Sequence, residues 1–453
     1  MRASKCSTGS ENVLKAYQPT WMRIHNEFVQ NYTLVIGDDT GRIVAVGPTE
    51  TVMTQYPGIV TEKWPNMALV PGTVNTHSHS FQHLLRGLGV DQPFLVWREQ
   101  ALYRVTPHLH TQALYLGAKL AFSEMVLQGI TTVVDFFYLH DHGIDNDLAI
   151  IQAAQEVGIR LVLARTFYDW EGAPESYRET PEEAVARTET LAARYRNNPM
   201  VSIHPAPHSV HGASDAMIEA AVTLARDLNT PYHMHIAEER FEIEEQRAKN
   251  GLSPVEHLAQ LEALDSSLIA VHLTWATAQD AALLGQASAN LAYCPSSNMF
   301  LADGVTPLRM LRTAGVEVAL GSDGGCSNNR ASVYEEMRMA ALVQKVDSLD
   351  ATVLTHQDVW KMGTEQGARI LRLDAGTLEE NRLADFVGID LTHLSLLPWS
   401  QETLLANIVY SMSPAAIQNV VVAGRVIVQG GELQTQDTAA LFQNIQQLKE
   451  QWM

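Results

Sequence analysis

The sequence predicts an α/β protein built around a parallel (β/α)8 barrel. Three observations lead there. Eight short apolar runs alternate with longer helix-like stretches through the middle of the chain. No G-x-G-x-x-G follows the first run, which weakens the rival architecture, an open doubly wound sheet with a dinucleotide site. Histidines and one aspartate gather at the ends of the runs, where a parallel barrel collects its chemistry.

The elements follow in order. "TLVIGDDTGRIVAVGP" (Thr33 to Pro48) reads as two β-rich segments around a turn holding Asp38, Asp39 and Gly41. The eight runs are "MALVPGTVNT", "TTVVDFF", "RLVLARTF", "VSIHPAP", "PYHMHIAE", "LIAVHLT", "NLAYCPSS" and "VEVALGSDG". Between them lie segments such as "SDAMIEAAVTLARDL" and "TAQDAALLGQA", whose Ser and Thr starts suit helix N-caps. After the barrel come "ADFVGIDL" and "IQNVVVAGRVIVQGGEL", the latter a hairpin around Ala423-Gly424.

Composition limits the partners. With 46% hydrophobic and 18% charged residues, the 453-residue chain can bury a large core. A formal net charge of -20 argues against nucleic acid, whose phosphates it would repel. Cys6, Cys294 and Cys326 show no paired spacing, so a reducing, cytoplasmic setting is expected. The first twenty residues contain no apolar h-region, and no apolar run is long enough to span a bilayer. The expected partner is a small molecule.

His77 and His79 end the first run, one residue apart, so both can face one ligand. Alone, an H-x-H is weak and is matched by a pair of hydrogen-bonded core histidines. His208, His235, His272 and Asp323 sit at or just beyond the ends of later runs. Three imidazoles and a carboxylate can hold a divalent ion and leave a position open for water. "HMHIAEE" adds H-x-x-E from His235 to Glu238, a carboxylate able to take a proton from that water. Glu239 suits the blander role of an acid in a helix's first turn. Asp323 in "GSDGG" is also compatible with a simple turn, and His272 with a core position or with orienting the attacking water.

Taken together, "VPGTVNTHSH", "HIAE", "VHLT", "GSDGGCSNN" and "GTLEENRLADFVGIDL" resemble the amidohydrolase superfamily, and within it the cytosine deaminase-like, ATZ/TRZ and S-adenosylhomocysteine deaminase branch. The resemblance implies a distorted (β/α)8 TIM barrel, residues 68–375, with a small β-sandwich from residues 1–67 and 376–453. It implies one catalytic metal on His77, His79, His235 and Asp323, Zn2+ first and Fe2+ as the alternative. Glu238, His272 and Asp323 would handle protons. A homodimer is the assembly it implies. Two-metal branches bridge their ions with a lysine on a middle strand; no lysine occurs between Lys119 and Lys249 here.

"THSHSFQ", "VWREQALY" and "FFYLHDH" resemble the formimidoylglutamate deiminase branch. There Gln82, Arg98, Tyr138 and His208 would contact substrate, with Arg98 clamping a carboxylate. A second arginine of that branch is replaced by His211, and the plainer role for Arg98 is an ion pair with Glu99. "LARTFYDW" resembles triazine-type relatives. The reading that emerges is a hydrolytic deaminase attacking an N–C=N carbon of an amino-substituted heterocycle and releasing ammonia. The alternatives are a formimidoyl-amino-acid deiminase and a triazine-type amine or chloride hydrolase. A non-enzymatic barrel relative should have lost ligands that this chain keeps.

Overall fold

The computed structural model describes residues 14–37 and 40–449. Cys6, Asp38 and Asp39 lie outside the described residues. Eight parallel strands form the barrel: Thr73–Asn75, Ile130–Phe137, Arg160–Phe167, Val201–Pro207, Tyr232–Ile236, Leu268–His272, Asn290–Tyr293 and Glu317–Leu320. All eight apolar runs contribute one. The second and third are buried at every residue, which is why they read as continuous apolar runs without alternation. The helices between them start as their sequences suggest. Ser214 Oγ accepts from Met217 N–H at the start of Asp215–Leu228, and Thr277 and Asp280 cap Ala278–Gln286 reciprocally.

The strands hydrogen-bond as two sheets, the first four and the last four. Two seams join them into a barrel. At one, His235 N–H donates to His208 O at 3.0 Å and Ser209 bridges His235. At the other, Asp323 and Gly324 pair with Ser78 and His79. Both seams run through residues that the sequence marked for chemistry.

The first run departs from expectation. "MALVPGTVNT" is the end of one strand and the start of another, divided at Gly72. Val60–Pro71 belongs to the sheet built from the chain ends, pairing with Leu14–Ile24 and Phe386–Asp390. Thr73–Asn75 turns into the barrel. A Cβ at Gly72 would lie 2.3 Å from the Thr131 side chain, so the crossing point has room only for glycine. The boundary expected after residue 67 thus falls inside a strand.

The end-derived sheet has nine strands and draws on residues 14–71 and 386–433. It is one continuous sheet that bends back on itself. Ile43 N–H donates to Arg382 O and Ala384 N–H to Gly41 O, each at 2.8 Å. The bend encloses Tyr17, Trp64 and Phe386, whose rings meet edge-on or tilted at 4.9–5.8 Å. Ala423 and Gly424, both at positive φ, make the tight turn of the final hairpin. No helix of the described residues is long and apolar enough to cross a membrane.

Candidate active site

The serines interleaved with His77 and His79 fix the turn that carries them. Ser78 Oγ donates to Val134 O at 2.8 Å. Ser80 donates to Asp135 twice, through N–H at 2.6 Å and Oγ at 2.7 Å. Asp135 is buried inside an apolar run, and burial pushes it up to about 7 against the pull of those bonds. Nothing in its sequence context marks it as part of the site.

The imidazoles are then aimed from behind. His79 Nδ1 bonds Phe136 O at 2.6 Å, and His235 Nδ1 bonds His208 O at 3.0 Å. A backbone carbonyl accepts, so each Nδ1 carries the proton and each Nε2 presents a lone pair to the centre. His235 Nε2 meets His77 Nε2 at 3.2 Å. Asp323 Oδ1 lies 3.5 Å from His77 Nε2 and 3.3 Å from His79 Nε2. Asp323 is in turn held by Ser297 Oγ at 2.5 Å and by Gly324 N–H at 2.8 Å. Burial would raise its pKa, but His77, His79 and His272 outweigh it and keep the carboxylate well below the usual range. Converging lone pairs with an ionised oxygen among them form a donor set that fits a divalent cation.

Glu238 and His272 face each other beside that set. Glu238 Oε1 lies 3.3 Å from His272 Nε2, while Asn298 Oδ1 holds His272 Nδ1 at 2.8 Å. Burial raises Glu238 well above the ordinary carboxyl range, with Asp323 and Glu239 adding to it, so it is suited to carrying a proton near neutral pH. Ala237, His272 and Leu273 all have positive φ. Strain of this kind in non-glycine residues persists only where the surroundings enforce it. Glu239 caps the next helix, accepting from Glu242 N–H.

A cavity opens onto these groups. Gln82, Arg98, Tyr138, His208 and His211 all line it, together with Glu238, His272 and Asp323. Gln82 Nε2 donates to Tyr138 OH at 3.2 Å, and its Oε1 accepts from the Cys326 thiol at 3.2 Å. Arg98 lies 4.8 Å from the Tyr103 ring and 5.2 Å from that of Trp170, and it also makes the ion pair with Glu99, at 3.3 Å. Burial, then Arg98, pushes His211 down to about 4, leaving a neutral imidazole bonded to Ser209 Oγ.

Besides Asp135, sequence reasoning missed the aromatic wall and one further acid. Tyr103, Tyr168 and Tyr177 line the cavity beside Tyr138. The Tyr177 ring lies tilted 4.9 Å from that of Tyr138, and Tyr168 lies 4.4 Å from the His208 ring. Their loop is tied down by Arg165, which is fully buried and grips Glu179 through two 2.8 Å bonds and Asp147 through one at 3.3 Å. Asp303, buried near Glu238, is the missed acid.

A parallel barrel with a three-histidine, one-aspartate cluster at its strand ends defines the class, a barrel hydrolase of metal-binding design. The chain belongs to the Amidohydrolase family, which it matches over residues 68–427. It is 34% identical over 372 residues to a 5-methylthioadenosine/S-adenosylhomocysteine deaminase from Pyrococcus horikoshii, covering 82% of this chain and 85% of that one. It is 32% identical to a 5'-deoxyadenosine deaminase from Methanothermobacter thermautotrophicus, covering 81% and 83%. Among solved structures, an adenosine deaminase from Xanthomonas campestris with bound zinc superposes with a TM-score of 0.88. That pair shares 29% identity over 96% of this chain and 98% of the other.

Proposed function

We propose that this protein is a hydrolytic deaminase of amino-substituted, purine-like heterocycles, with one divalent ion held by His77, His79, His235 and Asp323. The observation that carries the reading is the convergence of those four groups beside Glu238 and His272. The relatives named as deaminases support it, and the zinc in the Xanthomonas campestris protein supports Zn2+ over Fe2+. When bound, the ion would acidify a water molecule toward neutrality. Glu238 then takes the proton that water loses and hands it to the leaving nitrogen. His272 presents Nε2 to the same point and shares that proton. Asp323, kept ionised, can assist the later transfer. Tyr138, Tyr168 and Tyr177 offer flat faces for a planar ring, and Gln82 a paired donor and acceptor for its edge.

One observation favours a second reading. Arg98 lines the cavity with its Nε buried and without a hydrogen bond, which would suit a substrate carboxylate, as in a formimidoyl-amino acid. The test is ammonia release by the metal-loaded protein from aminopurines and their nucleosides, pterins, triazines and formimidoyl-glutamate. Turnover of a ring substrate is expected; turnover of formimidoyl-glutamate alone would replace the first reading by the second. A cytoplasmic location and a homodimer belong to the same proposal. The first rests on the buried, unpaired Cys294 and Cys326, the second on family resemblance.

A further inference from the structure

A third carboxyl group stands beside the proton-handling pair. Asp303 follows the helix Pro295–Phe300 and is 1% exposed. One of its oxygens, a Glu238 oxygen and a ring nitrogen of His272 all lie within 4.8 Å of one another. No N–H or hydroxyl donor meets either Asp303 oxygen, and the carboxyl of Glu239 is its neighbour. Two carboxyl groups can hydrogen-bond only if one keeps its proton. His272 Nε2, buried and without a hydrogen bond of its own, looks onto the same cluster.

The backbone fixes this arrangement. Asp303 N–H donates to Asn298 O at 2.9 Å, and Trp275 Nε1–H donates to Asp303 O at 2.9 Å. Asn298 also orients His272, so the end of one helix places both groups. Glu239 is partly exposed at the surface, Asp303 is 1% exposed, and Glu238 lines the cavity. Solvent, Glu239, Asp303 and Glu238 therefore form a sequence from the surface to the site. The charged groups facing Asp303 are Glu238, Glu239, Asp323 and His272. Burial, then Glu238 and Glu239, push Asp303 above the ordinary carboxyl range, which favours a proton held within the cluster.

We propose that Asp303 is a positioning residue for proton return, forming with Glu239 a carboxyl relay that delivers a solvent proton to Glu238 in each turnover. The inference rests on the deaminase reading. In that reaction the C–N bond breaks and a C–O bond from water forms. One water proton goes to the leaving nitrogen and the other stays on the oxo product, giving ammonia. A further proton is needed for nitrogen to depart as ammonium, and it comes from solvent. Glu239 takes it up and passes it to Asp303 as Asp303 gives its own to Glu238, and Glu238 gives one to the nitrogen. Every group ends as it began.

Asp303→Asn keeps the shape but cannot relay a proton. It should lower kcat on the order of 10-fold, less than loss of the direct donor, with KM and metal content unchanged. The solvent deuterium isotope effect on kcat should rise, the pH profile should shift, and formate should restore part of the rate of Asp303→Ala. Asp303→Glu should recover most of the wild-type rate. Infrared spectra of the metal-loaded protein at neutral pH should show a protonated-carboxyl C=O band that is lost in both Asp303→Asn and Glu239→Gln. Wild-type kcat and pH profile in Asp303→Asn would overturn the relay. So would an unchanged infrared band, whether or not a substrate is in hand. Loss of an additional equivalent of metal in Asp303→Asn would also overturn it, making the cluster a second cation site. A wild-type protein that releases ammonia from no amino compound sinks the deaminase reading instead, and the infrared comparison is unaffected.

Discussion

His235 Nε2 faces His77 Nε2 at 3.2 Å, although the two residues are 158 apart in the chain. Because the His235 Nδ1 proton is engaged by a carbonyl, its Nε2 offers a lone pair to this contact. Lone pairs held this close are stabilised by a cation between them. As purified, the protein should carry about one divalent ion per chain. His77→Ala and Asp323→Ala should each lose both metal and activity by elemental analysis and ammonia assay. Normal metal content and turnover in both variants would reject the site.

Glu238 and Glu239 are neighbours with different surroundings, one against His272 and one capping a helix. Glu238→Gln should keep the metal and lose at least ~100-fold in kcat, the usual scale for general acid–base catalysis. Glu239→Gln should cost much less. A reversed order would show that the H-x-x-E motif has been assigned to the wrong acid.

Arg98 separates the two substrate readings. If a substrate carboxylate sits on it, Arg98→Met should cost ~2–5 kcal/mol in kcat/KM, the scale for stranding a buried charge partner. A neutral ring should lose only what packing supplies. His211 adds little to carboxylate binding near neutrality, because its imidazole gains charge only as pH falls toward about 4. His211→Arg should therefore raise formimidoyl-glutamate turnover at pH 8 if that compound is a substrate at all. No such activity in wild type or His211→Arg, with brisk deamination of a ring, would eliminate the second reading.

Arg165 and Glu179 support the tyrosine wall from beneath. Glu179→Gln leaves buried guanidinium charge undercompensated and should destabilise the fold by ~3 kcal/mol. It should also raise KM as Tyr168 and Tyr177 lose their anchor. Burial alone would raise Asp147 and Glu179, but Arg165 and His140 outweigh it and hold both below the ordinary range. Their contribution is complete above the unfolded carboxylate values, ~4, and is lost as pH falls through the depressed folded ones. Thermal melts from pH 7 to pH 3 should show wild type losing this margin while Glu179→Gln loses less.

The barrel was legible in the sequence because its eight strands are almost wholly buried and the candidate ligands fall at strand ends, where spacing along the chain maps to convergence in space. His77, His79, Gln82, Arg98, Tyr138, His208, His211, His235, Glu238, His272 and Asp323 all fall at one centre or on the cavity beside it. The split at Gly72 was not legible: Pro71 and Thr73 continue one apolar run, and only the Thr131 contact shows where the chain changes sheet. Asp135 hid inside "TTVVDFF", where a lone acid has no period or partner to expose it. Asp303 in "LADGV" had the same disadvantage. Its neighbours lie elsewhere in the chain, Glu238 just past one strand and His272 at the end of another, and no local motif joins them. Tyr168 and Tyr177 share the loop after Arg160–Phe167 while Tyr103 comes from the helical turn Arg98–Tyr103, so their common wall exists only in three dimensions.

The two seams of the barrel have a mechanical consequence. His77 and His79 belong to the half made of the first four strands, and His235 and Asp323 to the other half. An ion bound by all four is a clasp across both joints, so chelation should loosen the rim before it melts either half. Amide exchange should quicken first at Ser78, His79, Ser209, His235, Asp323 and Gly324, and the strand interiors should stay protected. Enzyme stripped of its ion would then behave as two hinged half-shells, which ties the rigidity of the scaffold to the chemistry that it hosts.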